Sequence, residues 1–180
     1  FAQSGGSITA TGNGSSGARG YGIYLSNGDF TQNNGTITAT ATSGGYNGIY
    51  LSNGAFIQNN GLIETTSYYD DYGGIESDEF IQNNGTIIAL GDVGDGIYTG
   101  PFTQNNGSII ATGQNGGRGI YAWDVFTQSG GLISAEAFSS GYGIYVDSDF
   151  TQGPDGVLRL LPGDGSGNAV YLSSGDFIAS

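Results

Sequence analysis

The stretch DFTQNNGTI (residues 29–37) recurs along the chain with small changes. Close variants are AFIQNNGLI from Ala55, EFIQNNGTI from Glu79, PFTQNNGSI from Pro101 and VFTQSGGLI from Val125. The phenylalanine of this phrase marks successive units of 22–29 residues. We therefore predict one repeat domain over residues 1–180, with a final strand at Phe177 and coils that start near Phe1, Phe30, Phe56, Phe80, Phe102, Phe126 and Phe150.

Each unit contains three short segments in which apolar and polar residues alternate. The segments read FxQ, xIxA and GIY, and turns rich in Gly, Asn, Ser and Asp separate them. Alternation predicts strands, but one coil of three strands cannot bury its own apolar face. Stacked coils can, with equivalent residues about 4.8 Å apart. The sequence therefore predicts an all-β fold, a right-handed, three-sided parallel β-helix (β-solenoid) of about seven coils with 22–29 residues per coil.

Two side chains of the repeated phrase are predicted to form ladders inside the β-helix. The phenylalanines should fill the core, at Phe30, Phe56, Phe80, Phe102, Phe126 and Phe150. The glutamines lie two residues later on the same side of the strand, at Gln32, Gln58, Gln82, Gln104 and Gln128. Stacked amides can hydrogen-bond to one another, which removes the cost of burying them. We interpret the phrase as architectural.

The charge of the chain excludes several classes of partner. Sixteen acidic residues face three arginines, with no lysine or histidine, so the formal net charge is −13. Nucleic acids and anionic membrane surfaces both need a basic footprint, and this chain has none. No apolar run approaches the roughly 20 residues of a membrane-spanning helix, so we predict no membrane insertion within this segment. The chain contains no cysteine, which excludes disulfides and thiol chemistry.

The third coil carries the densest group of carboxylates. Its acidic residues include Asp70, Asp71, Glu76, Asp78 and Glu79. Oxygen ligands at this density suit calcium, and paired carboxylates also serve in glycoside cleavage. A solvated acidic loop explains the same residues without any ligand. We expect no cofactor, with calcium at this coil as the alternative.

Two further patterns lie on the predicted outer surface. The GIY segments and the corner after them set out an aromatic column at Tyr24, Tyr50, Tyr98, Tyr121, Trp123, Tyr145 and Tyr171. Exposed aromatic rings in a row can contact sugars or a neighbouring rod, although tyrosine is also simply a good strand residue. Acceptor patterns for N-glycosylation occur at Asn13, Asn34, Asn84 and Asn106. The same NNG sequence is also what the turn requires.

Phrases such as NNGTITATA (residues 33–41), a Gly-rich loop and phrases such as GIYLSNGDF (residues 22–30) follow one another along the whole chain. This order resembles the repeat regions of bacterial autotransporter passengers and related surface adhesins. The resemblance implies a β-helix that is extracellular or at the bacterial cell surface. It implies no particular ligand or active site, because the motifs are architectural.

These observations predict a non-catalytic extracellular structural protein, a filament subunit or adhesin stalk. The chain begins and ends on a phenylalanine strand without a visible cap, at Phe1 and Phe177. Bare end coils expose unpaired strand edges, so the expected partners are copies of the chain stacked head to tail or flanking coils of a longer chain. The alternative is a glycan-binding or glycan-cleaving β-helix that uses the tyrosine column and the acidic third coil.

Overall fold

The computed structural model describes residues 1–14, 19–42, 46–68, 73–139, 141–162 and 169–179. In this part of the chain every regular element is a β-strand. The strands are β1 (Ala2–Gln3), β2 (Ser7–Gly12), β3 (Ile23–Leu25), β4 (Phe30–Gln32), β5 (Thr36–Ala41), β6 (Ile49–Leu51), β7 (Ala55–Gln58), β8 (Leu62–Ser67), β9 (Ile75–Ser77), β10 (Glu79–Gln82), β11 (Thr86–Gly91), β12 (Ile97–Thr99), β13 (Phe102–Gln104), β14 (Ser108–Gly113), β15 (Ile120–Ala122), β16 (Phe126–Ala137), β17 (Ile144–Val146), β18 (Phe150–Pro162), β19 (Val170–Leu172) and β20 (Phe177–Ala179).

The strands stack in three columns of parallel pairs. Each strand lies in register with its equivalent one coil away, so that Phe56 pairs with Phe80 and Ile87 with Ile109. The GIY segments form a 7-stranded sheet of their own, one strand per coil. The other two columns join into one 13-stranded sheet through β16 and β18. The predicted all-β parallel β-helix is therefore confirmed.

The last two coils differ from the predicted pattern of three separate strands. β16 and β18 run without a break through the corner that separates FxQ from xIxA in earlier coils. The parallel pairing of the two strands continues through this corner, with Gly130 opposite Asp155 and Gly131 opposite Gly156. The register shifts after Gln128, where β18 carries one residue more than β16. This bulge accommodates GPDG (residues 153–156) in place of the usual NNG corner.

The phenylalanine ladder is the centre of the core. All six of its predicted members are fully buried. Neighbouring rings are nearly parallel, for example at 3° and 4.9 Å between the centroids of Phe80 and Phe102. Isoleucines of the other two columns, such as Ile63 and Ile97, belong to the same buried core. Each added coil therefore buries the same apolar groups as the coil before it, which is how a repeat protein gains stability.

The predicted glutamine ladder is also confirmed. The Nε2 atom of each glutamine donates to the Oε1 atom of the glutamine one coil earlier, for example from Gln58 to Gln32 at 3.0 Å and from Gln104 to Gln82 at 2.9 Å. The same Nε2 atom also donates to the carbonyl oxygen of the corner glycine, as Gln58 does at Gly61 at 3.2 Å. These buried amides are thus paired both along the ladder and with the backbone.

The NNG corners add a second amide ladder that the repeated phrase did not predict. The side chain of Asn59 donates to Asn33 at 2.8 Å, and Asn83 and Asn105 continue the chain of bonds at 2.7 Å each. These asparagines lie at the surface, in contrast to the glutamines beside them. The glycine that ends each corner has a positive φ, 95° at Gly85. That conformation explains why the corner finishes on glycine.

Candidate functional site

The tyrosines of the GIY column point away from the core, but most of them are not fully exposed. Tyr24 at one end of the column has 51% of its surface exposed, whereas Tyr50 and Tyr98 are half-buried. Glu76 lies between Tyr50 and Tyr98 in the register of the sheet. The column is therefore divided into two tyrosine groups, with a carboxylate between them.

The first tyrosine group lies on coils one and two and contains two residues from outside the column. The ring of Tyr21 stacks on Tyr50 at 5.0 Å with an angle of 11°, and on Tyr24 at 5.0 Å with an angle of 22°. Tyr46 joins at 5.4 Å from Tyr21. The guanidinium of Arg19 lies 5.2 Å from the centre of the Tyr46 ring, within the range of a cation–π contact.

This first group borders a cavity of about 190 Å³. Its lining residues come from three successive coils and are Arg19, Tyr21, Tyr46, Asn47, Tyr50 and Glu76. The cavity exists because the polypeptide enters each GIY strand from the same side, which places the residues before those strands next to one another. We call it the Tyr–Glu cavity.

Asn47 and Glu76 form the polar wall of the Tyr–Glu cavity. The Nδ2 atom of Asn47 donates to Glu76 Oε2 at 2.9 Å. Asn47 is only 1% exposed, and its Oδ1 atom has no hydrogen-bond partner among the residues that the structure describes. Burial raises the pKa of Glu76, and the bond from Asn47 opposes that shift. Burial likewise raises the pKa of Tyr50. The Oδ1 atom is itself shielded from solvent, so the acceptor that this wall offers to a ligand is the Glu76 carboxylate.

The second tyrosine group is covered by an ion pair. Arg118 lies 3.9 Å above the ring centre of Tyr121 and 5.3 Å from that of Tyr145. Its Nε atom donates to Asp95 Oδ1 at 2.9 Å. Burial raises the pKa of Asp95 even though Arg118 opposes the shift. Because the guanidinium occupies the face of Tyr121, this part of the column offers less free aromatic surface than the sequence predicted.

The two remaining parts of the aromatic column differ from each other. Tyr171, paired with Tyr145 in the last coil, is 38% exposed. Trp123 is exposed at the corner after β15, and its ring lies against Gly100 of the previous coil, where an added Cβ would approach it to 2.8 Å. Trp123 thus extends the outer surface along the corner and takes no part in the Tyr–Glu cavity.

The acidic residues of the third coil take different positions. Glu76 lines the Tyr–Glu cavity, Asp78 accepts a hydrogen bond from the backbone of Gly54 at 3.3 Å, and Glu79 is exposed at the start of β10. Asp70 and Asp71 lie outside the described residues. Within the described ranges no three His, Cys, Asp or Glu side chains converge as a metal site. Calcium binding at this coil stays a prediction.

The asparagines of the glycosylation patterns all lie in exposed positions. Asn34, Asn84 and Asn106 occupy NNG corners. Asn13 follows β2, and its Oδ1 atom accepts a hydrogen bond from Thr42 at 3.3 Å, while Ser15 of its acceptor pattern lies outside the described residues. Exposure is what modification requires, so these four sites stay predictions.

Comparison of the chain with protein-family models, with curated proteins and with solved structures finds no match. The class of protein is therefore defined by the fold alone, a parallel β-helix. Among the described residues there is no helix with the length and apolar character needed to cross a membrane.

The sequence predicted Glu76 and Tyr50 as site residues but not the other four residues of the cavity, which are Tyr21, Tyr46, Asn47 and Arg19. A signal was present for the first, because YGIY occurs at residues 21–24 and again at residues 142–145. The tyrosine before GIY contacts the tyrosine within it in both places, stacked at 5.0 Å for Tyr21 and Tyr24 and edge to face at 5.3 Å for Tyr142 and Tyr145. Tyr46 and Asn47 precede only one GIY strand, so no repeat pointed to them.

Proposed function

We propose that this chain is a non-catalytic structural segment of a protein at the cell exterior, a β-helical stalk or filament subunit. One observation carries the proposal: the side chains that recur from unit to unit bond or pack to the same side chains one coil away. The Phe ladder, the Gln ladder and the exposed Asn ladder all run along the axis of the rod. Sequence repetition here produces length and stiffness.

The two open edges of the β-helix support stacking as the way in which the rod continues. Phe1 and Phe177 are each 49% exposed, whereas the six ladder phenylalanines between them are fully buried. Ile178, beside Phe177 on β20, is also exposed. A further coil would cover these side chains and pair the free strand edges. That coil comes from the same polypeptide or from a second copy.

The placement at the cell exterior rests on the likeness of the repeats to autotransporter passengers and surface adhesins. The strongly acidic surface is consistent with a rod that repels its neighbours sideways and associates at its ends. In this proposal lateral contacts are weak and axial contacts are strong. The function is therefore to hold or space other parts of an assembly.

Electron microscopy and light scattering of the purified chain test the filament version of the proposal. We expect linear end-to-end assemblies that Phe177→Asp abolishes, because a carboxylate at the open edge cannot be stacked upon without a large desolvation cost. Ile88→Lys is the matched control, since Ile88 is exposed on the side of the rod. A wild-type chain that stays monomeric at all concentrations contradicts the filament version and leaves the stalk.

A further inference from the structure

The Tyr–Glu cavity does not belong to the ladders that build the rod. The position occupied by Asn47, two residues before the GIY isoleucine, holds Tyr21 in the coil before and Gly73 in the coil after. Asn47 is nevertheless buried, and its Nδ2 atom donates to Glu76 Oε2 at 2.9 Å. This bond holds the carboxylate in the wall of the cavity and belongs to none of the ladders that build the rod.

The chemistry of the walls limits what the cavity can bind. The Glu76 carboxylate accepts hydrogen bonds, so the ligand has to donate them. Tyr21 and Tyr50 offer aromatic surface, which attracts the weakly positive C–H groups of an aliphatic ring. A ligand with hydroxyl donors on its edge and C–H groups on its face fits both walls.

The charged residues of the cavity and the net charge of the chain further limit the class of ligand. Arg19 already lies beside Tyr46 in the cavity, which disfavours a cationic ligand. Glu76 and the net charge of −13 disfavour an anionic one. Size also matters, because the cavity has about 190 Å³. Sites for drug-sized ligands have roughly 300–1,000 Å³, so this cavity suits a single ring.

We propose that the Tyr–Glu cavity binds one neutral pyranose unit of a glycan, with its C–H face toward Tyr50 and its hydroxyls donating to the Glu76 carboxylate. The site lies on the side of the rod and spans coils one to three, so it begins at the coil that carries the Phe1 edge. Its walls are not part of the Phe, Gln or Asn ladders, so the proposed site goes beyond the structural role. Of the whole predicted aromatic column, only the first tyrosine group takes part in this proposed contact.

The proposal is tested by nuclear magnetic resonance on the isotope-labelled chain. The probes are the methyl glycosides of glucose, galactose, mannose and N-acetylglucosamine. We expect at least one of them to produce saturable shifts of the Asn47 side-chain amide and the Tyr50 ring signals. The methyl glycoside of glucuronic acid should bind more weakly than that of glucose, which has the same ring without the charge. The reason is repulsion between its carboxylate and the carboxylate of Glu76.

Two pairs of variants separate the site from general effects on the fold. Tyr50→Ala should weaken binding of the responding sugar at least about tenfold, while Tyr50→Phe, which keeps the ring, should change it little. Tyr98→Ala is the matched control, because Tyr98 is half-buried on the other side of Glu76 and does not line the cavity. Glu76→Ala should also weaken binding, and melting curves check that each variant is folded.

Three results would overturn the proposal. The first is the absence of a saturable shift with all four neutral glycosides. The second is an equal loss of affinity in folded Tyr50→Ala and Tyr98→Ala. The third is stronger binding of the glucuronide than of the neutral sugars. Each of these outcomes leaves the structural role of the rod untouched, because that role depends on the ladders and the open edges.

Discussion

Replacing one glutamine inside the ladder should destabilise the whole β-helix. Gln82 is fully buried, and its Nε2 atom donates to Gln58 Oε1 at 2.9 Å. The same Nε2 atom reaches the carbonyl oxygens of Gly85 at 3.3 Å and Ser108 at 3.2 Å. Gln82→Met keeps the unbranched shape of the side chain and removes all of these bonds.

The structure gives the size of the expected loss. Gln58 Oε1 has Gln82 as its hydrogen-bond donor and is left unpaired in the core, at a cost of about 1–3 kcal/mol. The two lost bonds to backbone carbonyls and the lost bond from Gln104 Nε2 to Gln82 Oε1 add about 0.5–1.5 kcal/mol each. We therefore expect the free energy of unfolding to fall by about 2.5–7.5 kcal/mol.

The exposed ladder beside it provides a matched control. Asn83 donates to Asn59 at 2.7 Å in the same coil, but water can replace that bond. Asn83→Ala should therefore change the free energy of unfolding by only about 0.5 kcal/mol, as surface substitutions usually do.

Denaturant unfolding, followed by circular dichroism and by the fluorescence of Trp123, measures both changes. Coincidence of the two signals is required, because repeat proteins can unfold in parts. If Gln82→Met costs no more than Asn83→Ala, the buried amide ladder does not stabilise the fold more than the exposed one, and the reasoning is refuted.

Two other predictions concern the corners and the Tyr–Glu cavity. Gly28→Ala should cost about 1–2 kcal/mol through its positive φ of 93° alone, since nothing lies within 4 Å of the added Cβ. Gly85→Ala should cost about 1–3 kcal/mol more, because its Cβ would also lie 2.7 Å from the carbonyl oxygen of Gly61; equal melting temperatures of the two variants would contradict this. Burial raises the pKa of Glu76 in the folded chain, so Glu76 ionises at a lower pH in the unfolded chain than in the folded one. The stability that the protonated carboxyl contributes is fully present below the ordinary pKa of about 4.3. It is lost as the pH rises through the pKa of the folded chain. Glu76→Gln should therefore melt higher than the wild type near neutral pH and equally near pH 4, and a difference that does not vary with pH would refute the sign of the shift.

The stacking of this protein could be predicted from the sequence because each ladder depends on one local pattern. A phenylalanine and a glutamine two residues later must share a face of the strand. Because both recur in every unit, the same two residues of the neighbouring coil must stack on them. The inward positions of Phe56, Gln58 and Ile63 therefore follow from the repeat alone. The Asn33 ladder carries the same signal, but the turn explains asparagine in this corner equally well, so the pattern does not single out the ladder.

The Tyr–Glu cavity could not be predicted in the same way. Its residues precede different GIY strands, and the loops that lead to them vary in length. Whether Tyr21 reaches Tyr50 depends on where each loop rejoins the stack and on the side-chain rotamers. The contact of Arg118 with the ring of Tyr121 could not be predicted for the same reason. It depends on Asp95 of the previous coil, which holds the guanidinium in place. Periodicity predicts what repeats, and neither feature recurs among the described residues of the other coils.

The chain is a rod whose length is set by the number of stacked coils. Thr31 and Thr151 lie on the outer side of the first column, five register steps apart through Ile57, Ile81, Thr103 and Thr127. Because the chain has no cysteine of its own, Thr31→Cys and Thr151→Cys can carry spin labels at these two places alone.

Pulsed electron–electron double resonance between the two labels tests most directly whether the length of the rod follows the number of stacked coils. The backbone positions should be about 24 Å apart, five steps of about 4.8 Å. Deleting residues 80–101, which form one whole coil, should leave the chain folded and shorten the mean label distance by about 5 Å. An unchanged distance, or a deletion that unfolds the chain, would contradict a rod built of equivalent stacked coils.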